Sequence, residues 1–257
     1  MAELYPEPPH LTIAFYASAD EAECFFRICE LLQTSECSSQ GVLEVAPWDR
    51  DFELRSDLAD VVHRIHADGE RLRSLLEGDL SVGRPVRAGF AHRKFGIVVV
   101  EYLAAPTQDR HPIGVSLGAG PLGVPPNLWK KADRSKAGRI AEWSKRIMMT
   151  GSAACSALYG GIGVEATLAT PAALRGGARL LPSEVFVSNA VLASNPGLLQ
   201  TLRTEFDNNQ DVSWDHGVFF SAWSPFNDGQ ITLPGIPSRF RDSSRALGTA
   251  LSGESST

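Results

Sequence analysis

Hydrophobic and polar positions along this chain switch between a period of two and a period near three and a half, and each switch marks an element. His10-Leu11-Thr12-Ile13-Ala14-Phe15-Tyr16 reads as a strand, after which Ala22, Phe25, Phe26, Cys29 and Leu32 fall on one face of a helix. Ser18 and Glu21 fit a capping box at the start of that helix. Val42 to Val45 reads as a short second strand, ending in the charged loop that carries Trp48. Residues 57–77 read as a second helix, with Leu58, Val61, Val62, Ile65, Leu72 and Leu76 on one side and Gly78 as its stop. Val86 to Phe90 and Ile97 to Leu103 predict a hairpin around the basic turn His92-Arg93-Lys94, with Ile113 to Leu117 as a third adjacent strand. A proline-rich loop then crosses to a long helix over 135–158, with Ile140, Trp143, Ile147, Gly151, Ala154 and Leu158 on one stripe. Beyond it come strands at 159–168 and 185–187, a short helix opened by Asn195-Pro196, and a strand at 212–223.

This order predicts an α+β fold: a mostly antiparallel sheet with helices packed on one face, made at most of two fused strand-helix-strand halves. One domain is expected over 1–251, with sub-halves 1–83 and 84–226 and an extended segment 227–251, followed by a disordered tail at 252–257. A chain of 257 residues can bury a sizeable core, and 43% hydrophobic with 21% charged residues is ordinary for a globular protein. The chain contains no apolar run of membrane-spanning length, so no membrane partner is expected. The N-terminus has neither the basic start nor the apolar core of a secretory signal, so a cytoplasmic location is expected. The net charge of −6 argues against broad nucleic-acid binding. Cys24, Cys29, Cys37 and Cys155 match neither a disulfide framework nor paired C-x-x-C zinc spacing, so buried thiols, no metal and no cofactor are expected.

The segment with most apparent chemistry is Gly114 to Gly123, which contains G-x-S-x-G at Gly114–Gly118 and G-x-G-x-x-G at Gly118–Gly123. Either pattern needs a helix to start within the glycines, to hold a strained serine or to aim amides at pyrophosphate. Pro121, Pro125 and Pro126 oppose such a helix, which predicts a strand end and turn instead. A serine hydrolase using Ser116, His216 and a nearby acid from Asp207, Asp211 or Asp215, most directly Asp215, stays as an alternative because the chain order is right. Asp60, His63 and His66 on one helix side could bind a metal only if another element added ligands. The basic stretch from Lys130 to Arg146 reads as the wet face of the long helix, or as a place for an anion. Trp48, Asp49, Asp51 and Glu53 make an acidic loop with an aromatic anchor, a composition suited to binding a protein.

Two resemblances bear on function. His10-Leu11-Thr12-Ile13 resembles one H-x-T motif of the two-histidine phosphoesterases, which need two such motifs, one histidine as base and one as acid; no second H-x-[ST] occurs here, so only a degenerate relative is implied. More of the chain is similar in element order to bacterial polymorphic-toxin immunity proteins of α+β type: the opening strand and cysteine-bearing helix, the Trp48 loop, the second helix, Gly89-Phe90, the three middle strands and Gly217 to Trp223. That resemblance implies a non-catalytic cytoplasmic protein that binds a toxin and occludes its active site. It also implies that Trp48, Asp49, Asp51 and Glu53 form the contact, with carboxylates standing where a nuclease toxin expects phosphates.

Overall fold

Strand β1 (His10–Ala17) sits inside the sheet and is buried on both faces. Leu11, Ile13 and Phe15 point into one core, Ala14 and Tyr16 into a second. The computed structural model describes residues 4–45, 63–77, 86–106, 109–122, 131–206, 211–222 and 240–252. The remaining strands are β2 (Cys37–Val45), β3 (His63–His66), β4 (Val86–His92), β5 (Gly96–Tyr102), β6 (Ile113–Gly118), β7 (Ala157–Val164), β8 (Glu184–Ser188), β9 (Asp211–Trp214) and β10 (Gly217–Ser221). All ten form one antiparallel sheet in the order β3-β2-β4-β5-β6-β1-β7-β8-β10-β9.

Helices α1 (Glu21–Thr34), α2 (Gly69–Glu77) and α3 (Lys131–Ala154) cover the first face. Phe25, Ile28 and Leu32 of α1 and Ile140, Trp143 and Ile147 of α3 meet Phe15, Val100 and Val115 of the sheet in one cluster. Gly151 of α3 has Phe15 and Ile28 where a side chain would begin, so glycine sets how closely α3 approaches α1 and β1. The second face is covered over β7, β8 and β10 by α4 (Pro171–Arg175), α5 (Asn189–Ser194), α6 (Pro196–Glu205) and α7 (Arg241–Leu251). The α+β class and the antiparallel sheet are as read from the sequence. Helices on a single face describe the β2-to-β6 side, while the β7-to-β10 side is sandwiched. The unbroken apolar runs Val185-Phe186-Val187 and Val218-Phe219-Phe220 are the sequence sign of strands covered on both sides.

Several elements differ from expectation for identifiable reasons. Asp20, not Ser18, caps α1: its carboxylate accepts from the backbone N–H groups of Ala22 and Glu23, while Glu21 accepts from the His111 N–H at 2.6 Å. Within the span read as a second helix, residues 63–66 are β3, paired with β2, and the helix begins at Gly69, where φ is +48°. Pairing with β2 sets Arg64 opposite Glu44 and overrides the helical spacing of the apolar residues. The last strand is a hairpin, β9 and β10, turning at Asp215-His216. The long helix stops at Ala154, and Ser156 in the left-handed region, φ +51°, turns the chain straight into β7. Residues 241–251, expected to be extended, form α7, which packs against α4 and α6. The glycine-proline segment is the strand end and turn the prolines suggested: β6 ends at Gly118, Ala119 N–H bonds Pro9 O at 2.6 Å, and Gly120–Leu122 make a single 3-10 turn.

Candidate functional site

Ser116 sits mid-strand in β6, with Val99 of β5 on one side and Thr12 of β1 on the other. It is not among the residues with positive φ, so the strained elbow that would present a nucleophile is absent at this position. Fully buried, its hydroxyl donates to Glu101 Oε1 at 2.8 Å and lies 3.2 Å from Thr12 Oγ1. Glu101 also accepts from the Tyr5 hydroxyl at 2.8 Å and from Arg87 Nε at 3.0 Å, and the Arg87 guanidinium stacks on the Tyr5 ring. Burial first, then the Glu101 charge, pushes the Tyr5 hydroxyl well above its ordinary value.

Strand register extends this cluster. Arg64 stands opposite Glu44, Glu44 opposite Arg87, and Arg87 opposite Glu101, so four side chains of alternating charge cross β3, β2, β4 and β5 in one row. The Arg64–Glu44 pair closes at 2.7 Å and the Arg87–Glu101 pair at 3.0 Å. Both carboxylates are buried, and each is paired. Nothing in the sequence signals the row, because its members are neighbours only once the register is set.

His216 lies elsewhere. Its ring packs on Phe186 and Trp214, on the opposite face of the sheet from Ser116. Strands β1, β7 and β8 stand between β6 and β10, so the two are about 19 Å apart across the sheet at roughly 4.8 Å per strand. Its partner is Ser152 of α3, whose hydroxyl donates to Met148 O at 2.6 Å and lies 2.7 Å from His216 Nε2. The Ser152 hydroxyl also lies 3.1 Å from Met149 O, so helix carbonyls compete with His216 for its single proton. Burial holds the His216 pKa below its ordinary value, against a smaller opposing pull from Asp215. Asp215 is exposed beside it, Asp211 is paired with Arg203 at 3.0 Å, and Asp207 lies outside the described residues. The structure therefore does not bring Ser116, Asp215 and His216 together.

The other residues singled out in the sequence have plain positions. His10 Nε2 bonds Pro6 O at 2.7 Å, its Nδ1 is 3.4 Å from Glu165, and Tyr5 meets it edge-on. No second histidine is among its partners in the described residues. His63 and His66 belong to edge strand β3 rather than a helix, and Asp60 lies outside the described residues. Among the described residues, no group of three or more His, Cys, Asp or Glu side chains could hold a metal ion. The four cysteines are buried and unbridged. A hydrogen bond with Cys155, then burial, raises the Cys24 thiol; burial raises Cys29 and pushes Cys37 up to about 12, so these are not reactive thiolates. Lys131, Arg134, Lys136, Arg139 and Arg146 of α3 are exposed, away from Ile140, Trp143 and Ile147, while the half-buried Lys145 places its ammonium over the Phe219 ring. His92 of the basic turn is buried instead, accepting at Nδ1 from the N–H groups of Lys94 and Phe95, with its ring stacked on Phe95. Trp48, Asp49, Asp51 and Glu53 lie outside the described residues.

No described helix is long and apolar enough to cross a membrane. No family model matches the chain, and no curated protein matches it in sequence. Among solved structures it is similar to the Pseudomonas aeruginosa T6SS protein PA0821, with a TM-score of 0.38 and 12% identity over 95% of this chain and 72% of that one.

Proposed function

We propose that this protein acts by binding another protein rather than by catalysis, and that it neutralises a toxin by covering its active site. One observation supports this reading above the others: the nucleophiles proposed or encountered in the described residues are used by the fold. Ser116 is tied to Glu101 and Thr12, Ser152 to a helix carbonyl, and the four thiols are buried. The partner surface in this reading is the loop with Trp48, Asp49, Asp51 and Glu53, whose aromatic anchor and clustered carboxylates suit a basic, phosphate-seeking active site.

The test is co-expression with candidate toxins, taken from the genes that flank this one. The protein should restore growth and co-purify with the toxin at one-to-one stoichiometry by native mass spectrometry. Asp49→Ala with Asp51→Ala should weaken the complex at least roughly tenfold, on the scale of buried interfacial charge pairs. Undiminished binding would remove this loop from the interface, and lack of both rescue and complex would remove the toxin-neutralising reading. On the hydrolase alternative, a fluorophosphonate probe should label Ser116. We expect no labelling, since the hydroxyl is buried in a hydrogen-bonded strand.

A further inference from the structure

Two recesses on the α4–α7 side of the molecule share a wall made by Arg179 and Thr167. The larger, of about 690 Å³, is lined by Arg179, Arg241 and Arg245, with Gly176 and Gly177 leaving one side bare of side chains. The smaller, of about 300 Å³, is lined mainly by apolar groups, including Ala104, Pro106 and Ala173. Both volumes fit the range of small-molecule sites or fall at its lower edge.

The charge in the larger recess is unusual for a chain of net charge −6. Arg241 and Arg245 lie one helical turn apart at the start of α7, and Arg179 reaches in from the loop after α4, held by a 2.8 Å bond to Thr167 Oγ1. All three are exposed, and none is in an ion pair among the described residues. The one acid in the lining, Glu165, accepts from the His10 backbone N–H at 2.6 Å. The Gly176 and Gly177 amides bond to Ala172 and Leu174 carbonyls, and Glu205 takes the first amides of α7, so the recess offers guanidinium groups rather than backbone donors. Thr167 accepts from Arg179, which leaves its hydroxyl proton for a ligand oxygen. Forked guanidinium donors match the oxygens of a phosphate group, and several together match its double charge better than a lone carboxylate.

The smaller recess adjoins the larger at Arg179 and Thr167 and offers a ligand mainly apolar contacts. The geometry points to a binding site for an organic phosphate: Arg179, Arg241 and Arg245 hold the phosphate in the larger recess, and the apolar part of the ligand lies in the adjoining smaller one. This inference is independent of the partner-binding reading, since it uses no residue of the 48–53 loop.

Isothermal titration at low ionic strength with 4-nitrophenyl phosphate and with inorganic phosphate tests it. The aryl phosphate should bind at least roughly tenfold more tightly than inorganic phosphate, because only it fills both recesses. Arg241→Ala with Arg245→Ala should weaken both probes roughly tenfold or more, the scale of charge-assisted hydrogen bonds. Ala104→Trp, at an exposed position, should reduce the aryl phosphate to the affinity of inorganic phosphate and leave the latter unchanged. Absence of binding heat with both probes overturns the site, as does unchanged affinity in an arginine variant whose urea midpoint matches the wild type. Equal affinity of the two probes for the wild-type protein overturns the joined-recess arrangement.

Discussion

Glu101 collects donors from three separate parts of the chain: Tyr5 in the N-terminal segment, Arg87 on β4 and Ser116 on β6. Glu101→Ala would leave a largely buried arginine and two hydroxyls without their acceptor, a loss of about 3–5 kcal/mol. Ser116→Ala removes one donor and leaves the Arg87 pair intact, so it should cost about 1–3 kcal/mol. Urea denaturation of the two variants separates these sizes; equal losses would mean that Ser116, and not the Arg87–Glu101 pair, organises the cluster. Two histidines carry a pH effect at this same scale. Burial is the main cause that lowers the pKa of both His92 and His216, although Glu36 pulls His92 the other way. Both are therefore easier to protonate in the unfolded chain, which takes up more protons than the fold as pH falls through the ordinary value of 6.5. Stability present above that value should decline below it. Urea midpoints from pH 8 to pH 5 should show the decline, with a shallower slope for His216→Gln; a midpoint that rises toward pH 5 would contradict it.

Between elements, close approach depends on residues without side chains. A Cβ on Gly248 of α7 would lie 2.6 Å from the Arg175 backbone nitrogen and 3.0 Å from its Cα, so α4 and α7 could not keep their separation. Gly248→Ala gains about 1 kcal/mol of helix propensity. Against that, the clash is with backbone, which cannot swing aside, and overpacking of this kind costs about 1–3 kcal/mol. The variant should unfold at lower urea concentration, and a raised midpoint would show that the two helices separate without penalty. Element types were legible wherever a period ran long enough: β1, the β4–β5 hairpin and most of α3 lie where alternation or helical spacing placed them. The span from 63 to 66 was not legible, because four residues satisfy either period and only pairing with β2 decides between them. The α1 cap was misplaced for a related reason: Ser18 and Glu21 have the right spacing, but Glu21 is claimed by the His111 amide and Asp20 by α1.

Across the whole molecule, β1 joins the two sides of the sheet, pairing with β6 on one edge and β7 on the other. Ladder pairs link β2 to β4 as well, so a cut between residues 83 and 84 would break a strand pair. The chain should therefore unfold as one unit. Tryptophan fluorescence, to which Trp143 on α3 and Trp214 on β9 contribute among five tryptophans, and far-UV circular dichroism should give coincident transitions; two resolved midpoints would show independent halves. The sequence by itself determined the α+β class, the antiparallel character and the most periodic elements, because periodicity and proline chemistry act over a few residues. Its prolines also pointed to a strand end and turn in the glycine-rich segment, where β6 stops at Gly118 and a 3-10 turn follows at Gly120–Leu122. Only the tertiary structure decided which residues meet. The Arg64-Glu44-Arg87-Glu101 row, the separation of Ser116 from His216, and the convergence of Arg179 with Arg241 and Arg245 all follow from strand order, register and helix docking. Those are set by burial and pairing between distant segments, which no local spacing encodes.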